Sequence, residues 1–369
     1  MKVLVAGDFA PRNRIITMLE NKDFSFFSEV LEVTKKCDYS IINFESPIVN
    51  EYAEPIIKTG PNIKCHSHAM QAVKFAGFDC VTLANNHFYD YGDVGVRNTL
   101  EECFNNSIDY VGGGKDIKEA EKILYKSLNN RTLAIINVCE NEWSIATEYS
   151  GGSAPLNLVS NVRMIRDAKN HADYVLMIIH GGTEHYQLPS PRMRNLYRFF
   201  IEEGVDVVVN HHQHCYSGFE VYRGRPIFYG LGNFCFDRNS PEDKLWNEGY
   251  AVEISFDNKD ISYRILPYIQ CAEEPKVCFS IKPDDFQLKI NELNRIIKDE
   301  HALLDSFAEM ASRKSFLHFL EPYNNKYLKF LRTKGFLPSF LSWGRKDMIL
   351  EIFRCESHRD IMFELLKRK

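Results

Sequence analysis

The chain has 369 residues, 44% hydrophobic and 26% charged, with a net charge of −5. That is the composition of a folded globular protein with room for one large domain and an appendage, or for two ordinary domains, and it excludes a disordered chain. The basic excess of a nucleic-acid binder is missing, so no nucleic-acid partner is expected.

The N-terminus offers only about four apolar residues in a row, and no run reaches the ~20 residues of a membrane span. No membrane span and no export signal are therefore expected. The ten cysteines are scattered without a CxxC pair and read as reduced thiols of a cytoplasmic protein.

In chain order, short Val- and Ile-rich runs at 3–6, 40–44, 81–84, 133–138, 175–180 and 205–209 read as strands buried on both faces. Amphipathic stretches at 67–77, 94–106, 160–171 and 191–204 read as helices between them. The last carries Leu196, Phe199 and Phe200 and stops at Gly204. This alternation implies βαβ units around a largely parallel sheet. After Pro226 the runs 227–229, 250–256 and 261–266 read as strands of an antiparallel edge or second sheet. Beyond Pro283, apolar residues from Phe286 to Ala311 recur at helical steps, which predicts one long helix. Further helices are expected at 314–333 and 345–367. The division this suggests is a main domain over 1–275 and a C-terminal helical extension over 280–369 packed on it.

Chemistry concentrates at strand ends. In open α/β sheets, ligands bind outside the carboxyl ends of the strands, and five runs end there in a metal-ligand residue type. They lead into Asp8, into Glu45, into Asn85-Asn86-His87, into His180 with Glu184 and His185 beyond, and into Asn210-His211-His212-Gln213-His214. Five of the twelve histidines fall within residues 180–214. Imidazole with carboxylate and amide oxygen suits borderline divalent ions such as Zn²⁺, Mn²⁺, Fe²⁺ or Ni²⁺. Alternation along a strand sets His211 apart from His212 and His214. Asn85 is expected to shape the turn that presents its neighbours, and His358 reads as an isolated helical histidine.

Six motifs stand in one order: Gly7-Asp8; Asn43-Phe44-Glu45-Ser46-Pro47; Leu83-Ala84-Asn85-Asn86-His87 with Asp90-Tyr91-Gly92; His180-Gly181-Gly182-Thr183-Glu184; His211-His212-Gln213-His214; and Tyr229-Gly230-Leu231-Gly232-Asn233-Phe234. Together they resemble the CapA, or poly-γ-glutamate capsule-synthesis, family over roughly residues 1–270. That family looks like a branch of the calcineurin-like metallophosphoesterases. The resemblance implies a four-layer α/β sandwich of metallophosphatase type, here with a C-terminal helical extension.

The resemblance also implies roles. Asp8, Glu45, Asn86, His180, His212 and His214 look like ligands of one or two divalent ions (Mn, Zn or Fe). His87 looks like the catalytic histidine, and Glu184 like an acid/base or substrate contact. Ala10 stands where the wider pattern has a histidine, and Gly181 where this family has an aromatic residue. The implied activity is a metal-dependent hydrolase, phosphoesterase-like or amide-cleaving, in capsule or cell-surface polymer biosynthesis. Its substrate would be a small molecule or polymer, and its partners capsule-synthesis proteins. Two alternatives stay open: a metal-assisted peptide epimerase using Glu184 or His87 as base, and a non-catalytic component of a polymer-synthesis complex.

Overall fold

The computed structural model describes residues 1–50, 52–238, 242–257, 260–279, 283–313 and 343–367, with 330, 331, 334 and 336. The strands are β1 (Lys2–Phe9), β2 (Tyr39–Phe44), β3 (Cys80–Thr82), β4 (Asp109–Val111), β5 (Gly113–Gly114), β6 (Leu124–Leu128), β7 (Arg131–Cys139), β8 (Gly152–Ser153), β9 (Tyr174–His180), β10 (Val207–His211), β11 (Phe219–Tyr222), β12 (Arg225–Phe228), β13 (Asn233–Cys235), β14 (Glu248–Asp257), β15 (Asp260–Gln270) and β16 (Val277–Cys278). The helices are α1 (Arg14–Glu20), α2 (Ser28–Thr34), α3 (His68–Phe75), α4 (Gly92–Asn105), α5 (Ile117–Ala120), α6 (Leu158–His171), α7 (Pro191–Glu203), α8 (Lys244–Asn247), α9 (Pro283–Lys298), α10 (Glu300–Ser312), α11 (Trp343–Arg354) and α12 (Glu356–Lys367).

The parallel strands divide between two main sheets, as the expected four-layer sandwich requires, and β5 and β8 form a separate two-stranded pair. One has the order β16-β15-β14-β1-β2-β3-β4, with β13 against the end of β1; the other runs β11-β12-β10-β9-β7-β6. In the first, β1 to β4 run parallel out to one edge and β14, β15 and β16 form the antiparallel other edge; in the second, β7, β9, β10 and β12 are parallel and β6 and β11 are antiparallel edges. The reason lies in alternation along continuously buried strands. Val3 and Val5 of β1 share a core with Ile135, Leu176, Ile178, Val207 and Val209 of the other sheet. Leu4 and Ala6 turn the opposite way, into a core with Ala69, Val73 and Val96 of α3 and α4. Ile136, Met177 and Val208 likewise turn outward onto Ile165 of α6 and Tyr197 and Phe200 of α7. Three apolar layers thus separate four layers of structure, helices–sheet–sheet–helices.

The C-terminal helices extend these cores. Phe286 and Ile290 of α9 close the end of the inter-sheet layer, and the Phe286 ring packs 4.8 Å from that of Tyr216. The expected continuous helix breaks at Asp299, whose side chain accepts a hydrogen bond from Ala302 N at 3.0 Å and caps α10. Phe307 and Ala311 of α10 then meet Ile352 of α11 and Ile361, Met362 and Leu365 of α12. The helix expected over 314–333 lies almost wholly outside the described residues. Among the described residues no helix is long and apolar enough to cross a membrane.

Candidate metal centre

The carboxyl ends of β1, β2, β3, β9 and β10 meet at one point. At Gly7 the pairing of β1 with β2 shifts register, and the Gly232 carbonyl comes so near that a Cβ on Gly7 would lie 2.0 Å from its oxygen. Only glycine fits this approach. It lets Asp8 pair with both Asn43 and Asn233 on its two flanks.

The Asn43 amide donates to Asp8 Oδ1 at 2.7 Å and lies 3.3 Å from Nδ1 of His180. Asp8 Oδ2 accepts the backbone N–H of His212 at 3.2 Å and sits 3.8 Å from Nδ1 of His214. Around Nε2 of His180 stand Asn86 Oδ1 at 3.1 Å, His212 Nδ1 at 3.1 Å and Glu45 Oε1 at 3.8 Å. The same Glu45 oxygen is 3.8 Å from Nε2 of His214. Two overlapping ligand groups result, Glu45–His180–His212 and Asp8–Glu45–His214, with Glu45 common to both. The donor set suits one or two borderline divalent ions.

The local backbone explains how three histidines reach this point. Strand β10 ends at His211, and His212 and His214 both take positive φ, 91° and 55°. For non-glycine residues such a conformation is strained and persists where the surroundings hold it. Strand alternation therefore does not govern the segment. His211, expected to point away, has its Nδ1 3.4 Å from Asp8 Oδ1.

Burial and charge set the electrostatics. Glu45 is fully buried, and among the described residues neither of its oxygens finds a hydrogen-bond donor. Burial first, then Asp8, Glu184 and Glu142, push its carboxyl well above the usual range. Burial also pushes Asp8 up, but the His211 contact and the charges of His180 and His214 outweigh it and hold Asp8 low. Glu184 is likewise raised by burial and lowered more by His214, His212, His185 and His87, down to about 2. His180 and His214 are held below the ordinary imidazole value, mainly by burial. A buried carboxyl group that no donor among the described residues reaches, set between imidazole nitrogens and a second carboxyl group, is the environment a cation relieves.

His87 stands beside this cluster. Its Nδ1 is 2.7 Å from Asp90 Oδ2 and 3.3 Å from Lys58 Nζ, and Lys58 also pairs with the other Asp90 oxygen. Burial lowers its pKa to about 4, although the Asp90 contact opposes this. Asn85 shapes the turn as expected, donating to the Phe44 carbonyl at 3.0 Å and accepting from His87 N at 3.1 Å.

Sequence reasoning missed two contributors. Lys58 arrives from the loop between β2 and α3. Glu142 follows the end of β7, so the strand-end rule could have found it. Its Oε1 lies 3.8 Å from His212 Nε2, its Oε2 accepts from the Asn86 amide at 3.3 Å, and burial raises its pKa to about 8. Gly181 also gains an explanation, because a Cβ there would lie 2.6 Å from Cγ of Glu140. Glu140 fills the space an aromatic side chain would need. A cavity of about 560 Å³ opens beside the cluster, lined by Asn86, His87, Glu142, Glu184 and His214 and walled by Glu351 and His358 of α11 and α12.

Fold and cluster together define a four-layer α/β sandwich with a candidate metal centre at the carboxyl ends of its parallel strands. The chain belongs to the family described as bacterial capsule synthesis protein PGA_cap, which matches residues 2–238. It is 35% identical over 220 residues to the capsule biosynthesis protein CapA of Bacillus anthracis, covering 58% of this chain and 54% of that one. It is 33% identical over 217 residues to the PGA biosynthesis protein CapA of Bacillus subtilis (strain 168), covering 58% and 57%. The chain thus spans about half the length of the curated relatives it matches. Among solved structures it is similar to a putative 5′-nucleotidase from Staphylococcus aureus at 14% identity and a TM-score of 0.46, covering 79% of this chain and 57% of that one.

Proposed function

We propose that the chain is a metal-dependent hydrolase of capsule or cell-surface polymer metabolism that cleaves a phosphoester or an amide. The observation that carries this reading is Glu45, a fully buried carboxyl group that no hydrogen-bond donor among the described residues reaches, set among Asp8, His180, His212 and His214. Asp8, Glu45, Asn86, His180, His212 and His214 would hold the ion. Bound there, a divalent ion supplies Lewis-acid polarisation of the scissile group and acidifies water.

The chain's own residues handle the proton. The Nδ1–H of His87 is committed to Asp90, the nearer of its two partners, and Lys58 neutralises that carboxylate from its other side. With a ring neutral at pH 7, Nε2 is left to accept a proton and pass it to the leaving group. Glu184 stays ionised and fits a substrate contact better than an acid. At the rim, Arg12 and Arg238 can hold an anionic substrate, the Arg238 guanidinium lying 4.4 Å from the centre of the Trp246 ring.

The names of the Bacillus relatives describe biosynthesis rather than hydrolysis, which favours a second reading, a non-catalytic component of a polymer-synthesis assembly. The test is incubation of the purified chain with Mn²⁺, Zn²⁺ or Fe²⁺ and either p-nitrophenyl phosphate or γ-glutamyl-p-nitroanilide. Release of chromophore that EDTA or His212→Ala abolishes supports the hydrolase. Solvent deuterium entering a peptide without cleavage supports the epimerase instead. A metal-loaded chain inert in every assay supports the non-catalytic reading.

A further inference from the structure

The C-terminal helices carry a second group of metal-ligand residue types, on residues separate from the Glu45 centre. Glu351 lies in the last turn of α11, Cys355 links α11 to α12, and His358 lies in the first turn of α12. One ligand atom from each falls within 4.8 Å of the others. His358 Nδ1 is 3.9 Å from Glu351 Oε1. Ligands of a tetrahedral zinc, at about 2.0–2.3 Å from the ion, stand about 3.3–3.8 Å apart, so a small rotamer adjustment would close the shell.

Glu351 is 5% exposed, and neither of its oxygens has an N–H or hydroxyl donor among the described residues. The carboxyl group it meets is that of Glu142. Lys58 and Arg354 bring positive charge to this pair, so the case for an ion rests on the spacing of the three ligand atoms. Cys355 is 1% exposed, and its thiol is engaged only weakly, with Glu140 Oε2 at 3.7 Å.

We propose that Glu351, Cys355 and His358 form a second divalent-cation site, with Zn²⁺ the ion their sulfur, nitrogen and oxygen ligands select and Glu142 the available fourth ligand. Binding replaces the Cys355 thiol proton, which leaves to solvent. The ion ties α11 to α12 in the wall of the cavity that Glu351 and His358 line.

The probe is Co²⁺, because a thiolate ligand adds a near-ultraviolet charge-transfer band that the Glu45 centre, whose candidate ligands include no cysteine, cannot give. Titration of the full chain is expected to saturate that band at about one Co²⁺ per chain in the wild type and in His212→Ala. The band should vanish in Cys355→Ser, and Glu351→Gln and His358→Ala should each weaken Co²⁺ binding at least tenfold while circular dichroism stays unchanged. Absence of the band from the wild type, or an undiminished band in Cys355→Ser, overturns the site. Should Cys355→Ser fail to fold, wild-type affinity in both Glu351→Gln and His358→Ala overturns it instead.

Discussion

Nδ1 of His87 lies 2.7 Å from Oδ2 of Asp90, and both side chains are buried. The contact fixes the ring's orientation and its tautomer, because a carboxylate can only accept there.

A division of labour follows for this pair. His87→Asn should keep metal content and fold but lose turnover by about 10²–10⁴-fold, the usual weight of a positioned proton-transfer group. Asp90→Asn should lose less, with KM little changed, since it acts through His87. His180→Asn should lose metal and activity together. Metal analysis and kinetics on the three variants check this; a His87→Asn protein that sheds its metal as readily as His180→Asn contradicts it.

The C-terminal helices should contribute to stability through an apolar anchor and a polar lock. Phe286 is fully buried between Tyr216 and Tyr250, so Phe286→Ala should cost about 3–5 kcal/mol. Urea unfolding should show a lower midpoint with an unchanged slope. An unchanged midpoint would mean that α9 does not hold the end of the inter-sheet core.

Glu140 is the polar lock. It accepts from Arg192 at 2.7 Å and from the Ser357 hydroxyl at 2.6 Å, and Arg192 also reaches Asp360 at 2.7 Å. Burial raises the Glu140 pKa, but Arg192 and Ser357 outweigh it and the net shift is downward. A depressed folded pKa means stability that is present above the unfolded value and lost as pH falls through the folded one. Wild type should therefore exceed Glu140→Gln in stability at pH 7, with the gap narrowing as pH drops below the ordinary 4.5. Paired urea titrations from pH 7 to pH 3 measure it; a gap that widens with acid contradicts the assignment.

Much of the fold was legible because strands buried on both faces leave unbroken apolar runs. The runs at 3–6, 40–44, 133–138 and 175–180 fall wholly inside β1, β2, β7 and β9. Which sheet each run joins was not legible, since pairing partners are chosen in three dimensions. Short edge strands such as β6 alternate between half-buried and exposed positions and so left no apolar run to read. The helix break at Asp299 was hidden because the apolar period is the same on both sides of it. At the site, the strand-end rule singled out side chains that do converge, and applied to β7 it would have added Glu142. Lys58, Glu351 and His358 reach the cavity only through loop and helix packing, for which no local pattern exists.

The central claim is that the Glu45 cluster holds a divalent ion. Elemental analysis of the purified chain, after incubation with Mn²⁺, Zn²⁺ or Fe²⁺ and desalting, tests it most directly, run beside Cys355→Ser to set aside the C-terminal helices. The account predicts one or two ions per chain at this cluster, retained in Cys355→Ser and lost in Glu45→Gln and in Asp8→Ala. A folded wild-type chain that keeps none of the three ions, or a Glu45→Gln variant that keeps all that the wild type holds, would contradict it.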